Sequence, residues 1–218
     1  MIIKPVILSL KVATIATIIT LIIGIILARV FTKYNFKFKR GVEILILLPM
    51  VLPPSVIGYG LLKIIGRGGL IGGFLYENFD ITLVFNWIAA CIAAVVVSLP
   101  LMYQNCKTGF ENINNSYEKV ARTLGATENI IFWKITIPIA LPNILTGTIL
   151  AFARAVGEFG ATLMVAGNIP GKTQTIPLAI FFAVDRGDIR SANILMGITI
   201  IFSFSIIYIL NRWVGSKE

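Results

Sequence analysis

Two residues of opposite charge, Arg154 and Glu158, stand four positions apart at the end of a long uncharged run. Ionisable residues at membrane depth are costly, usually face the interior of a helix bundle and usually pair with one another. Positions i and i+4 share one face of a helix, so we expect the two side chains to stabilise each other. A paired arginine still has hydrogen-bond donors to spare. Arg154 is therefore also a candidate contact for an anion, and both roles are compatible.

An internal polar segment, residues 107–134, separates two apolar runs. Residues 118–124 are predicted to form two helical turns, and Gly125 follows where a helix would end in a left-handed cap. Thr127 then begins a second helix as its N-cap, followed by an acidic residue in the first turn. The segment is therefore predicted to be a helical hairpin.

Two features of this hairpin favour contact with another protein. The small side chains of Ala121 and Ala126 keep the turn thin, so that another backbone could approach it. Residues 130–133 add an apolar surface that ends in Trp133. Tryptophan often anchors a chain at the membrane interface, and this alternative stays open for Trp133. It does not explain the turn of small residues, so docking of a partner is the better interpretation of the whole hairpin.

A partial nucleotide-binding motif occurs later in the chain. Gly171, Lys172 and Thr173 match the end of the phosphate-binding loop Gly-x-x-x-x-Gly-Lys-Ser/Thr. The first glycine of that motif falls on Ala166, with Gly167 one place off, and no strand is predicted before it. We therefore expect this chain not to hydrolyse ATP. The chain contains no histidine, which excludes a histidine base, and we predict no metal site and no cofactor.

The composition is that of a membrane protein. Of the 218 residues, 57% are hydrophobic and only 13% are charged, whereas soluble domains are about a quarter charged. The net charge of +9 is therefore attributed to membrane orientation and not to nucleic-acid binding. Cys91 and Cys106 are predicted to lie on one helix about 22 Å apart, too far for a disulfide.

The uncharged runs predict an all-α protein with five membrane-spanning helices, because a span needs about 20 mostly apolar residues. The five runs are residues 12–28, 44–62, 81–106, 135–153 and 191–211. A sixth apolar region, residues 159–184, is interrupted by glycine, proline and lysine. We interpret it as a broken or re-entrant segment beside a protein-lined or water-filled cavity.

Basic residues predict the orientation. The short segment 29–40 contains Arg29, Lys33, Lys37, Lys39 and Arg40 and no acidic residue. Such segments stay in the cytoplasm. Counting spans from there places residues 107–134 and the C-terminus in the cytoplasm, and residues 66–80, residues 158–190 and the N-terminus outside.

Prolines interrupt the second predicted span. Pro49, Pro53 and Pro54 remove backbone donors and bend a helix. The bend serves either helix packing or a kink near a gate in a pore, and the sequence leaves both alternatives open.

The spacing within the hairpin resembles a known motif. Gly125 is followed after nine residues by Ile135, Thr136, Ile137 and Pro138. The coupling motif of permeases from ATP-binding cassette (ABC) importers reads Glu-Ala-Ala, three residues, Gly, nine residues, Ile-x-Leu-Pro. Lys119 occupies the acidic position of this motif, and Glu118 stands one residue earlier. This departure leaves open which side chain makes the polar contact to the ATPase.

Further segments are similar to the molybdate permeases of that family. They are residues 48–59, 66–72, 152–162 and 167–180, which cover most of residues 45–182. The resemblance implies the ABC importer permease fold in a single domain, residues 1–218, in the cytoplasmic membrane. It implies transport of molybdate or tungstate by alternating access, driven by separate ATPase subunits, with an extracytoplasmic oxyanion-binding protein and a second copy of the chain as partners within the lipid bilayer.

The motif assigns candidate contacts to the ATPase, and the charge and proline patterns assign candidate residues of the path. The predicted contacts to the ATPase are Glu118, Lys119, Ala121, Leu124, Gly125, Ala126 and Pro138. The residues predicted to line the path or its gate are Pro53, Pro54, Arg154 and Glu158, with Arg154 as a contact for the dianion.

Three alternatives remain at this point. The chain could belong to an importer of sulfate or another oxyanion, since these tetrahedral dianions have similar shapes. A self-contained secondary transporter or channel is disfavoured because few acidic residues lie within the spans. A membrane enzyme is disfavoured because the chain has no histidine and no clustered acids within the spans.

Overall fold

The computed structural model describes residues 2–214, and no strand occurs among them. Met1 and residues 215–218, which belong to the predicted domain 1–218, lie outside the described residues. The helices are α1 (Ile3–Lys33), α2 (Lys39–Leu47), α3 (Pro54–Ile65), α4 (Leu70–Phe79), α5 (Trp87–Glu111), α6 (Asn115–Thr123), α7 (Glu128–Ile131), α8 (Ile137–Val156), α9 (Gly160–Ala166), α10 (Ile176–Asp185) and α11 (Ile189–Val214). A 3₁₀ turn, Leu48–Met50, follows α2, and a π-helical stretch, Phe132–Thr136, joins α7 to α8.

Within the described residues, four helical stretches are long and apolar enough to cross a membrane. They are α1, α5, the continuous stretch Glu128–Val156 and α11, and a bent pair of helices raises the number to five. The prediction of an all-α membrane protein is therefore confirmed. The region predicted to be broken contains two short helices, α9 and α10, separated by a loop.

The second predicted span, residues 44–62, is not one straight helix. The helical path is interrupted at residues 51–53, and the stretches Lys39–Met50 and Pro54–Phe79 meet at 116°. Pro54 disfavours the helical conformation at Pro53, and Pro53 has an extended ψ of 137°. Neither proline has an N–H to donate. The paired prolines therefore break this span and do not merely kink it.

The bounds of two other spans also differ from the prediction. The third begins at Trp87 instead of position 81, because the side chain of Asn86 accepts a hydrogen bond from Ala89 N at 3.0 Å and caps the helix. The first begins at Ile3 instead of position 12. Lys11 is accommodated within this helix because its Nζ lies 3.7 Å from the centre of the Trp87 ring.

Helix α5 is the centre of the bundle and packs between α1, α8 and α9. The packing is close because the facing residues are small. A Cβ added at Gly109 of α5 would lie 2.8 Å from the Cβ of Asn143 on α8. Small residues allow membrane helices to approach in this way. The backbone of α10 is also attached to α1, because Ile176 N donates a hydrogen bond of 2.7 Å to the buried hydroxyl of Ser9.

Segments predicted to lie on one side of the membrane meet in the structure. At one end of the bundle, Arg29 and Lys33 of α1 contact the hairpin, and Glu43 of α2 pairs with Lys107 of α5. At the other end, Phe85 N donates to Val165 O at 2.9 Å. The basic segment 29–40 and the hairpin 107–134 therefore share one end of the bundle.

The close contact of α5 with α8 gives a first prediction. Gly109→Val should lower the melting temperature of the purified protein, because overpacking a tight contact costs about 1–3 kcal/mol. Gly197→Val on α11 is the matched control, since a Cβ there would meet no atom within 4 Å. Equal melting temperatures for the two variants would contradict this description of the bundle.

Candidate functional site

The hairpin is a thin, capped turn between two short helices. Gly125 has a φ of 84°, in the left-handed region that favours glycine. Ala126 N donates to Ala121 O at 3.0 Å and closes the turn. Thr127 then caps α7 through a long contact of 3.5 Å from Ile130 N. Helix α6 begins at Asn115, earlier than position 118, because Asn114 caps it by accepting from Ser116 N.

The inward side of the hairpin is organised around Glu118. One carboxylate oxygen accepts hydrogen bonds from Arg29 Nη1 at 3.0 Å and from the Thr136 hydroxyl at 2.9 Å. The other oxygen accepts from Arg122 Nη2 at 3.0 Å. The side chain of Glu118 is only 15% exposed. Glu118 therefore joins α1, α6 and the π-helical stretch that leads into α8, and it faces away from any protein that binds the outer side of the hairpin.

A second carboxylate extends this network. Glu128 accepts from Arg122 Nε at 2.5 Å and from Lys33 Nζ at 2.6 Å. Basic and acidic side chains alternate along this network, which runs from α1 to α6 and α7. They are partly exposed, so each pair alone contributes little, whereas a network with fixed geometry contributes more.

The network also sets the protonation of its groups. Burial raises the pKa of the Glu118 carboxyl, but hydrogen bonds from Thr136 and Arg29 outweigh this effect and leave the pKa below its usual value. Hydrogen bonds to Glu128 and Glu118 raise the pKa of Arg122. A lowered carboxyl pKa stabilises the fold above the unfolded value of about 4.3, and this contribution is lost as the pH falls through the folded pKa.

The outward side of α6 is an apolar stripe. Tyr117, Val120 and Leu124 are spaced i, i+3 and i+7, and Leu124 is 82% exposed. Lys119 is exposed beside them. Among the residues predicted to contact the ATPase, Leu124, Lys119 and Gly125 lie on the exposed side, whereas Glu118 and Ala121 point inward.

The sequence interpretation missed Tyr117 and Val120. Their helical spacing with Leu124, in an otherwise polar segment, is the signal that would have identified them. Pro138, the last residue of the predicted motif, is exposed near the beginning of α8. The apolar residues predicted to form a surface on the second helix face different ways: Ile131 is buried, whereas Trp133 is 61% exposed.

The charged pair lies where α8 ends. Arg154 Nη1 is 2.8 Å from Glu158 Oε2, although the approach is too far off line for a directed hydrogen bond. The other oxygen, Oε1, accepts from Ala161 N at 2.8 Å and so caps α9. The side chain of Glu158 is 2% exposed, and that of Arg154 is 33% exposed. Glu158 is therefore enclosed, while part of the Arg154 side chain is exposed.

The predicted proline site adjoins this pair. Pro54 is the first residue of α3, and a Cβ added at Gly160 would lie 2.9 Å from the Cβ of Pro54. Helices α3 and α9 therefore begin side by side, next to Glu158. The N-terminus of a helix carries partial positive charge. The Glu158 carboxylate already caps that of α9, so the positive features of this region are the beginning of α3 and the cation of Arg154.

The loop with the partial nucleotide motif has a structural explanation. The hydroxyl of Thr173 donates to Gly167 O at 3.0 Å and accepts from Ile169 N at 2.9 Å. Thr173 is fully buried. These bonds satisfy the threonine within its own loop, where it holds the turn between α9 and α10.

The fold and the hairpin define a class of transport protein. The sequence profile of the family described as "Binding-protein-dependent transport system inner membrane component" matches residues 20–217. The chain therefore belongs to this family. A chain of the methionine ABC transporter MetNI, in an inward-facing conformation, has the same fold, with a TM-score of 0.73 and 17% identity over 99% of this chain and 95% of that chain.

More similar relatives are named as molybdenum permeases. A putative molybdenum transport system permease protein, YvgM, of Bacillus subtilis (strain 168) is 42% identical, over 95% of this chain and 92% of the relative. The molybdenum transport system permease protein ModB of Escherichia coli (strain K12) is 41% identical, over 97% of this chain and 93% of the relative. The resemblance drawn from the motifs is thus confirmed.

A double-mutant cycle tests whether Arg154 and Glu158 stabilise each other. Arg154→Gln and Glu158→Gln should each lower the melting temperature of the purified protein. The cost is roughly 1–3 kcal/mol, less than for a fully buried pair because Arg154 is partly exposed. The double variant should lose less than the sum of the two, since neither charge is then left alone. Strictly additive losses would contradict a direct interaction.

Proposed function

We propose that this chain is the membrane permease of an ATP-driven importer of molybdate that also accepts tungstate. Its family membership and the names of two similar relatives support this assignment. The observation that supports the link to ATP is the hairpin, which presents an exposed apolar stripe on a short polar helix. Separate ATPase subunits supply the energy, and the permease itself performs no chemical reaction.

The partners follow from the two ends of the bundle. The ATPase binds the end that carries the basic segment and the hairpin, which is cytoplasmic by the distribution of lysine and arginine. An extracytoplasmic oxyanion-binding protein delivers the substrate at the opposite end, where α1 begins and the N-terminus lies outside. The C-terminus is then cytoplasmic. A second copy of the chain completes the pore, and apolar residues left exposed where the second span breaks, such as Val51, support this arrangement.

The hairpin couples the two proteins through its two faces. Leu124 and its neighbours on the stripe enter an apolar cleft of the ATPase, and the exposed Lys119 meets an acidic group at the rim of that cleft. Glu118 is therefore a positioning residue inside the permease. Because it binds both Arg29 and Thr136, a displacement of the hairpin is transmitted to α1 and α8 together.

The oxyanion path passes the beginning of α3. The partial charge at the beginning of α3 and the exposed part of Arg154 attract a dianion, as half-helix N-termini do in other transporters. Glu158 holds the guanidinium in place and offsets part of its charge, which keeps the binding weak enough for release. Pro53 and Pro54 fix the position of the helix end beside the path.

Docking of the ATPase is tested with Leu124→Asp. This substitution places a charge at the most exposed residue of the apolar stripe, so we expect at least a tenfold loss of ATPase co-purified from membranes, with an unchanged melting temperature of the permease. Asn112→Asp is the matched control, because Asn112 is exposed near the same end and gains the same charge. Equal recovery of the ATPase with both variants would contradict docking through this stripe.

The substrate is tested in proteoliposomes that contain the permease, its ATPase and its binding protein. Molybdate and tungstate should each be taken up with ATP, and an equal concentration of sulfate should not compete. Arg154→Lys should lower uptake with little change in melting temperature, because one ammonium group cannot serve Glu158 and the anion as a guanidinium can. Uptake of sulfate in preference to molybdate would assign the permease to the sulfate importers instead.

A further inference from the structure

A groove of about 570 Å³ runs along the outside of the bundle, between α1 and the junction of α7 with α8. Ile22, Ile26 and Val30 of α1 form its floor, each one helical turn beyond the last. Phe132 and Trp133 form the facing wall, with their rings 5.2 Å apart at a steep angle. The long apolar floor lies within a membrane span, so bilayer lipid is the solvent of this groove.

The chemistry of the groove changes along its length. Arg29, Lys33, Tyr34, Glu128 and Asn129 line the end nearest the hairpin. Tyr34 and Trp133 are both largely exposed. Tyrosine, tryptophan and basic residues are characteristic of the level of lipid headgroups. The groove is therefore apolar where acyl chains lie and cationic where phosphates lie.

The cationic end has positive charge in excess. Arg29 and Lys33 are paired with Glu118 and Glu128, respectively. The adjoining segment 29–40 has three more basic residues and no acidic one. Juxtamembrane basic clusters attract anionic lipids of the cytoplasmic leaflet, and basic pockets between helices bind their headgroups. A neutral lipid would fill the apolar part equally well, so the charge decides which lipid is preferred.

We propose that this groove binds one anionic phospholipid of the cytoplasmic leaflet. One acyl chain lies along Ile22 and Ile26 and against Trp133, and the phosphate lies at Lys33 and Asn129. The lipid contacts both α1 and the hairpin junction, so it holds together the same two elements that Glu118 joins. This inference rests on the cytoplasmic placement of the hairpin in the proposed function, but it does not depend on the transported anion.

Lipid binding is measured on the purified permease–ATPase complex in detergent. Phosphatidylglycerol should raise the melting temperature more than phosphatidylcholine with the same acyl chains, and native mass spectrometry should find one tightly held phosphatidylglycerol per permease chain. Ile26→Trp fills the floor without changing any charge and should abolish retention of this lipid. Lys33→Gln should weaken the preference for phosphatidylglycerol about fivefold.

Two controls separate this site from general contact with lipid or salt. Phe79→Trp changes an exposed apolar residue far along the chain from the groove and should leave phosphatidylglycerol binding unchanged. Glycerol phosphate, the headgroup without acyl chains, should not stabilise the complex. Stabilisation by glycerol phosphate alone would overturn the lipid site in favour of a phosphate site.

Two further results would overturn the proposal. The first is equal retention of phosphatidylglycerol by the wild type and by Ile26→Trp. The second is a disulfide between two chains that carry Ile26→Cys in a background without Cys91 and Cys106, because a second copy would then cover the groove. Neither result bears on molybdate uptake, so failure of this inference and failure of the proposed function remain distinguishable.

Discussion

The carboxylate of Glu118 is the point on which the hairpin end of this bundle depends. Its two oxygens accept hydrogen bonds from residues of three separate segments, one of them 89 positions away in sequence. A largely buried carboxylate is stable only when its hydrogen bonds are made, so α1, α6 and α8 keep their relative positions together or not at all. These bonds hold the side of α6 opposite the apolar stripe.

A second enclosed carboxylate organises the middle of the molecule. Glu158 pairs with Arg154 and caps α9, so one side chain fixes both the end of α8 and the beginning of the next helix. Pro53 and Pro54 determine where α3 begins, because neither residue has a backbone N–H to donate. Helices α3 and α9 thereby begin inside the bundle. Backbone N–H groups are available at such helix starts, whereas an uninterrupted span would present only side chains there.

The sequence predicted features that depend on neighbours in the chain. The apolar runs, the hairpin, the glycine turn and the spacing of Arg154 with Glu158 are all local patterns. The orientation of Glu118 was not predictable, because it depends on Arg29 and Thr136 at positions that no motif connects. The break at Pro53 was also ambiguous, since proline either kinks or ends a helix according to whether neighbouring helices satisfy the freed carbonyls. The beginning of α5 was missed because a single asparagine cap outweighed the five apolar or neutral positions before it.

The π-helical stretch Phe132–Thr136 determines how the hairpin is rotated about the axis of α8. Ile137 N bonds to Phe132 O, five residues back, so this turn holds one residue more than an α-helical turn would. Pro138 follows and has no N–H with which to restore the shorter register. Each residue of an α-helix turns the chain by about 100°. Loss of one residue here would therefore rotate the hairpin by about a quarter turn around the axis of α8 and carry Thr136 away from Glu118. The number of residues in this stretch therefore determines which face of the hairpin is turned toward α1.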